Sequence, residues 1–223
     1  MPGTALAIMA RCPEKGKIKT RLASSIGAEE TLQLYQAFLA DLATRFSRGK
    51  HALCWAYTPT ESNFEAALTA FLPVPVGHCL PQQGVELGER LRNVFLALAQ
   101  HYQSIIVIAS DSPHISLEVV EEAEQALRSA DVVLGPADDG GYYLIAMREP
   151  HDVFSGIPMS TSRVLQMTIE KARRQGLVVR QLETLFDIDE LSDLQRLAHL
   201  LQFNHMLAPT TAACISSITK ELI

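Results

Sequence analysis

The sequence predicts an α/β fold: one domain with a mixed, mostly parallel sheet and helices on both faces. Three observations carry that reading. Strand-like and helix-like segments alternate along the chain, as βαβ units require. Residues 104–109 (SIIVIA) are apolar and largely β-branched, as suits a central strand covered on both faces. The apolar segments 131–136 and 142–147 are joined by a glycine-containing loop too short for a helical crossover. They are therefore not parallel neighbours, and the sheet is mixed.

The elements follow in order. Residues 4–10 (TALAIMA) read as a buried first strand, and 11–17, with Pro13 and Gly16, as a loop. Residues 28–46 form a long helix whose Leu32, Tyr35, Phe38, Leu39 and Leu42 make an apolar stripe at helical spacing. Strands are expected at 51–58 and 74–79, with a helix at 61–71 between them, and a helix follows at 86–100. The strand 104–109 leads to a helix at 116–128, where Ser116 can cap the first turn and acidic residues face the helix N-terminus. After the strand pair 131–136 and 142–147 come a helix at 161–175, a strand at 177–182 and a helix at 192–201. The tail 205–223 shows a weak helical pattern that Pro209 interrupts.

Composition narrows the function classes. The 223 residues fit one large α/β domain, taken as 1–223, with no repeat, linker or low-complexity segment. Nineteen basic against 25 acidic residues give a net charge of -6, which disfavours a broad nucleic-acid footprint. Cys12, Cys54, Cys79 and Cys214 have no C-x-x-C or zinc-like spacing and are expected to be free thiols in a reducing cytoplasm. No apolar run is long enough for a membrane span, and the apolar start is too short for a signal peptide. The scattered histidines, among them His51, His78, His101 and His151, read as surface residues; Trp55 and Phe64 read as core. No G-x-S-x-G points to acyl transfer.

Four polar clusters follow strand-like segments, where open α/β sheets bind ligands. The first, Arg11 to Arg21, places five basic residues within eleven positions and includes Lys19 and Thr20. Backbone N–H groups near Gly16 could cradle a diphosphate there, with Arg21 meeting phosphate oxygens in pairs and Lys19 as a point charge. A solvated basic loop is the bland alternative. The second cluster, Ser110-Asp111-Ser112-Pro113, puts a carboxylate at the mouth of the central strand, where Mg²⁺ (or Mn²⁺) could bridge protein and phosphate. The third is Asp138-Asp139-Gly140-Gly141-Tyr142, a tight reversal whose glycines allow close approach of a ligand. Successive residues in an extended segment point to opposite sides, so one of its two carboxylates is expected to enter the site. In the fourth, Asp187-Ile188-Asp189-Glu190, either Asp187 or Asp189 completes a metal site with Asp111, or Asp189 or Glu190 merely caps the next helix.

These blocks, in order, resemble the DUF2064 family, the selenodomain-associated transferases linked to arsenosugar biosynthesis. Met9-Ala-Arg-Cys-Pro13, Gly16-Lys-Ile-Lys19-Thr20-Arg21-Leu22, Gln83-Gly84 with Leu87-Gly88-Glu89-Arg90-Leu91, Ser110 to Pro113, Gly135 to Tyr143 and Asp187-Ile188-Asp189 carry the likeness, over about residues 4 to 200. Arg11 stands where lysine is usual, Val85-Glu86 replaces a pair with aspartate, and Met159 stands where tryptophan is common. The family is similar to GT-A nucleotide-diphospho-sugar transferases and, more distantly, to nucleotidyltransferases of molybdenum-cofactor and coenzyme F420 synthesis. The resemblance implies a Rossmann-like sheet with Mg²⁺ at Asp111 and phosphates at Lys19 and Arg21. It places the base or sugar near Gln83 and Gly84, and the acceptor at Asp138 to Tyr142.

The expected activity is Mg²⁺-dependent glycosyl transfer from a nucleotide-diphospho-sugar to a small-molecule acceptor, with Asp138 or Asp139 orienting or deprotonating the acceptor. Nucleotidyl transfer of guanylyl or cytidylyl type to a phosphorylated small molecule is the alternative. The acidic acceptor half favours a neutral acceptor. A non-catalytic nucleotide-binding domain is third, because the carboxylates at 111, 138, 139, 187 and 189 are all present. Expected partners are the nucleotide or nucleotide-sugar and the acceptor, with a homodimer left open and no nucleic acid or membrane.

Overall fold

The computed structural model describes residues 3–221. Seven strands form one sheet in the order β3-β2-β1-β4-β6-β5-β7. They are β1 Thr4–Arg11, β2 Ala52–Thr58, β3 His78–Pro81, β4 Ser104–Ala109, β5 Val132–Pro136, β6 Tyr142–Met147 and β7 Val179–Gln181. β6 runs antiparallel to both β4 and β5, and the other pairings are parallel. The mixed sheet expected from the short 137–141 connection is present, and β4 and β6 span the residues expected.

Eight helices cover the sheet: α1 Thr20–Ile26, α2 Ala28–Phe46, α3 Phe64–Thr69, α4 Leu87–Leu98, α5 Leu117–Ala126, α6 Val164–Arg174, α7 Leu191–Phe203 and α8 Pro209–Glu221. Strand alternation divides the core in two. Leu6 and Ile8 of β1 and Ile106 and Ile108 of β4 pack on one face with Leu34 and Phe38 of α2, Val120 of α5 and Leu197 of α7. Ala5, Ala7, Ile105 and Val107 face the other way, onto Leu91 and Phe95 of α4 and Ile169 of α6. Trp55 and Phe64 are buried, as expected.

Local chemistry moves some boundaries. β3 begins after Gly77, whose φ of 80° makes a turn that residues 74–79 cannot cross as a strand. α1 carries no clear signal in the sequence, because only Leu22 and Ile26 of its seven residues are buried. Ser116 caps α5, its Oγ accepting the Val119 N–H at 3.4 Å. Pro209 opens α8 rather than interrupting the tail, since a first helical position needs no N–H. Buried Asp41 accepts the Thr210 and Thr211 N–H groups at 2.9 and 2.7 Å and ties α8 to α2. Residues 222–223 of the tail lie outside the described residues.

His51 corrects the surface reading. It is buried, with Nε2 3.3 Å from Glu124 Oε2, and Glu124 also accepts the Thr4 hydroxyl. A polar start to β2 thus hides a side-chain network, which sequence position alone does not reveal. The four cysteines are free. Among the described residues, no helix is long and apolar enough to cross a membrane.

Candidate functional site

The carboxyl ends of β1, β2, β3 and β4 open into a cleft made of two adjoining cavities. The cavity over β4 and β6, ≈ 230 Å³, is lined by Asp111, Asp139 and Asp187 together with Tyr142 and Met159. The cavity over β1 and β2, ≈ 350 Å³, is lined by Arg11, Lys19, Tyr35, Gln82, Arg90 and Asp189. Asp111, Met9, Leu87 and Ala109 border both. The first cavity has no Lys, Arg or His in its lining, whereas the second has three cations.

Asp111 and the 187–189 segment, far apart in sequence, are stitched together. The Ile188 N–H donates to the Asp111 carbonyl at 3.1 Å. The Ser112 hydroxyl lies 3.2 Å from the Phe186 carbonyl and makes a short hydrogen bond to Asp187 Oδ1. Asp189 and Glu190 start α7, where the Asp193 carboxylate accepts both of their N–H groups. The capping role therefore belongs to Glu190 and Asp193, in a reciprocal capping box.

Lys19 turns inward. It is the one described non-glycine residue with positive φ, 39°, and its side chain is only 5% exposed. Its ammonium donates to the Ile188 carbonyl at 2.6 Å and lies 2.9 Å from Asp111 Oδ1 and 3.4 Å from Asp189 Oδ1. Burial alone would lower its pKa, but Asp111, Asp189 and Asp187 outweigh that and hold it above the usual lysine value. Thr20 and Arg21 point outward on α1, Arg21 facing Glu190 at 3.6 Å, and neither lines the cleft. Arg11 does line it, with one guanidinium N–H on the Lys17 carbonyl.

The 83–86 loop is held by α4. Arg90 donates to the Gly84 and Val85 carbonyls at 3.0 and 2.9 Å, Glu89 accepts the Val85 N–H, and Asn93 donates to the Gln83 carbonyl. Gln83 is exposed; its neighbour Gln82 is the buried one, its Nε2 donating to the Ala56 carbonyl at 2.7 Å. Gln82 is a cleft residue that the sequence did not point to, and Met9 and Arg90, present in the family-like motifs, carried no site role there. The alternation after Pro81 could have pointed to Gln82. Tyr35 signalled only helix core, yet its hydroxyl joins the Arg11 backbone to Ser110 Oγ at the base of the cleft.

The 138–142 reversal separates its two carboxylates. Asp139 faces the first cavity while its Oδ1 accepts the Gly141 N–H at 2.7 Å. Asp138 turns to α7 and pairs with Arg196, whose guanidinium lies 3.9 Å over the Phe186 ring. Gly140 has a φ of 91°, and a Cβ there would sit 2.0 Å from the Ser162 carbonyl oxygen. Only glycine lets the 160–163 segment close on the loop. Tyr142 follows as the first residue of β6 and lines the cavity.

The donor set suits a hard divalent ion. Burial pushes the Asp187 carboxyl up to about 7; Ser112 opposes this, and the Asp111 charge adds to it. Such a carboxylate is relieved by a cation. Among the described residues, no three His, Cys, Asp or Glu side chains form a group that could hold a metal by themselves. Two carboxylates, Asp111 and Asp187, completed by phosphate and water, are the arrangement Mg²⁺ commonly takes.

Asp187 gives a stability prediction free of assay chemistry. Its folded pKa lies above its unfolded value, so its stabilising contribution is present at acidic pH and is lost as pH rises toward and past about 7. Asp187→Asn keeps an acceptor for Ser112 and cannot ionise. In EDTA at pH 8 it raises stability by roughly 1–2 kcal/mol, reduced from about 1.4 kcal/mol per pKa unit because the group borders the open cleft. The gain shrinks at pH 5. Thermal melts at both pH values check this; equal gains would mean that ionisation is not the cause.

Comparison with known proteins places this geometry in a family. The chain aligns over 99% of its length, and over 98% of that chain, with a candidate nucleotide-diphospho-sugar transferase from Desulfovibrio desulfuricans G20, at 32% identity and a TM-score of 0.90. The fold is shared with CMP:2-keto-3-deoxy-manno-octonic acid synthetase complexed with CTP (17% identity, 90% and 98% covered, TM-score 0.55). It is also shared with a Mycobacterium tuberculosis H37Rv protein in complex with manganese (15% identity, 88% and 98% covered, TM-score 0.51). Among curated proteins none matches the chain. The family described as "Uncharacterized protein conserved in bacteria (DUF2064)" matches residues 39–161, more than half of the chain. With that match and the full-length likeness to the Desulfovibrio protein, the chain belongs to the DUF2064 family.

Proposed function

We propose that this protein transfers a glycosyl group from a nucleotide-diphospho-sugar to a small uncharged acceptor, with Mg²⁺ or Mn²⁺ held by Asp111 and Asp187. The observation that carries the reading is the asymmetry of the cleft. The cavity over β1 and β2 has Arg11 and Arg90 for a diphosphate, with the Lys19 charge beside them, whereas the cavity over β4 and β6 has three carboxylates and no protein cation. A phosphorylated acceptor would find no protein cation there beyond the ion already shared with the donor diphosphate, and Asp139 would repel it. A hydroxyl-bearing acceptor meets a carboxylate that can take its proton.

In this reading Arg11 and Arg90 bind the donor diphosphate, and Gln82 borders the same cavity. Asp111 and Asp187 would hold the ion, which when bound would supply charge neutralisation for the departing diphosphate. Asp139 accepts the proton of the acceptor hydroxyl as the sugar's bond to the diphosphate breaks and its bond to the acceptor oxygen forms. Tyr142 and Met159 supply the apolar wall on which the acceptor rests.

Thermal-shift screening of nucleoside diphosphates, triphosphates and nucleotide sugars, each with Mg²⁺ or EDTA, tests the proposal. A nucleotide sugar at about 100 times its Kd adds about 2.7 kcal/mol. At this chain length that is a rise in Tm of about 5–10 °C, seen only with the metal. Stabilisation by a triphosphate alone, followed by pyrophosphate release with a phosphorylated acceptor, would replace glycosyl with nucleotidyl transfer.

A further inference from the structure

We propose that Lys19 is the built-in second cation of the site, so that the enzyme loads one divalent ion rather than two beside the donor diphosphate. This rests on the metal-dependent reading above. Four carboxylates, Asp111, Asp139, Asp187 and Asp189, border the two cavities, and Lys19 is the ammonium set among them. Its three protons match three acceptors: the Ile188 carbonyl at 2.6 Å, Asp111 Oδ1 at 2.9 Å and Asp189 Oδ1 at 3.4 Å. None is left over for a phosphate unless one of these contacts breaks.

The backbone is built around this placement. Lys19 adopts the left-handed conformation at the start of α1, a region non-glycine residues seldom occupy and which often marks a functional constraint. The positive φ turns the side chain off the surface path taken by Lys15, Lys17 and Arg21, which are all exposed, and under the cleft near the Phe38 ring. A charge-positioned lysine serving only a solvated loop would not be buried to 5% exposure among carboxylates from two distant segments.

The consequence is a division of ligands. Lys19 engages Asp189 on the β1–β2 side, while Asp187 and Asp139 face the other cavity and Asp111 borders both. Among the described residues, the second oxygens of Asp111 and Asp187 take no hydrogen bond, whereas their Oδ1 atoms are taken by Lys19 and Ser112. The pair is thus left with one open edge for one ion. Lys19 stands on the donor side, between Asp111 and Asp189, and supplies positive charge where these two carboxylates would otherwise be left to attract a second ion. It acts on the substrate through these carboxylates and is a positioning residue.

The test is an electron paramagnetic resonance titration of the full chain with Mn²⁺ at pH 8 in the presence of UDP or GDP, whose phosphates complete the coordination, counting protein-bound ions. Wild type binds one Mn²⁺ per chain. Lys19→Met, of similar length and without charge, binds two, and its first ion is held at least tenfold tighter because the neighbouring positive charge is gone. Lys19→Arg restores a count of one. Two ions on wild type would overturn the proposal even if Lys19→Met fails to fold. A Lys19→Met protein that still binds one ion with unchanged affinity, while losing UDP or GDP binding in EDTA, would overturn it in favour of a direct phosphate contact. Wild type that binds no Mn²⁺ would remove the metal-dependent reading as well, so the two failures are distinguishable.

Discussion

Asp139→Asn lowers turnover about 10²–10⁴-fold while nucleotide affinity stays within about twofold, the signature of losing a general base that does not touch the donor. The neighbouring Asp138→Asn keeps near-normal turnover and loses at most about 1 kcal/mol of stability. Its carboxylate is half exposed and pairs with Arg196 on α7, and exposed pairs are worth little. The opposite outcomes follow from the backbone. The Asp139 side chain folds back to the Gly141 N–H and borders the cavity shared with Asp111 and Asp187, whereas Asp138 leaves on the other side, beside the Leu185 carbonyl that accepts its N–H. Turnover, nucleotide affinity and melting temperature measured on both variants decide the matter. If Asp139→Asn loses nucleotide affinity in step with turnover, Asp139 belongs to the donor or metal half and the acceptor assignment falls.

Where the sequence was informative, one physical rule was acting alone. β4 and β6 are apolar runs bounded by polar or turn residues, so burial on both faces is the only force that sets their ends. The antiparallel β5–β6 pair follows from connection length, which no packing detail can override. The polar clusters at strand ends were legible for the same reason, since the sheet carries its strand ends to one cleft. What stayed illegible depends on loop geometry. Five basic residues in the 11–21 segment look equivalent in sequence, yet a single left-handed residue sends Lys19 inward and leaves Lys15, Lys17 and Arg21 outside. Its partners Asp111 and Asp189 lie 92 and 170 positions away (111 − 19 and 189 − 19), beyond any local pattern. Gln82 and Gln83 differ only in parity, and one turn decides which of them is buried. His51 was misread because an isolated polar residue gives no sign of a partner on α5.

Asp111→Asn removes the metal dependence of nucleotide binding: the ratio of affinities with Mg²⁺ and with EDTA, about 100 in wild type, falls to near one, a loss of about 2.7 kcal/mol. Asp111 is the carboxylate common to both cavities and lies 2.9 Å from Lys19, so in the proposed reading it stands between the ion and the diphosphate. The fold survives, because the link that fixes the 187–189 segment runs through the Asp111 backbone carbonyl and through Ser112, neither of which the substitution touches. Stability falls only modestly, since Lys19 keeps Asp189 and the Ile188 carbonyl while losing one counter-charge. Calorimetry with a nucleoside diphosphate in both buffers, beside a thermal melt, separates these effects. A variant that keeps a hundredfold Mg²⁺ effect would place the ion elsewhere. A variant that melts far below wild type would mean that the Asp111–Lys19 pair holds the fold and that the loss of binding says nothing about metal.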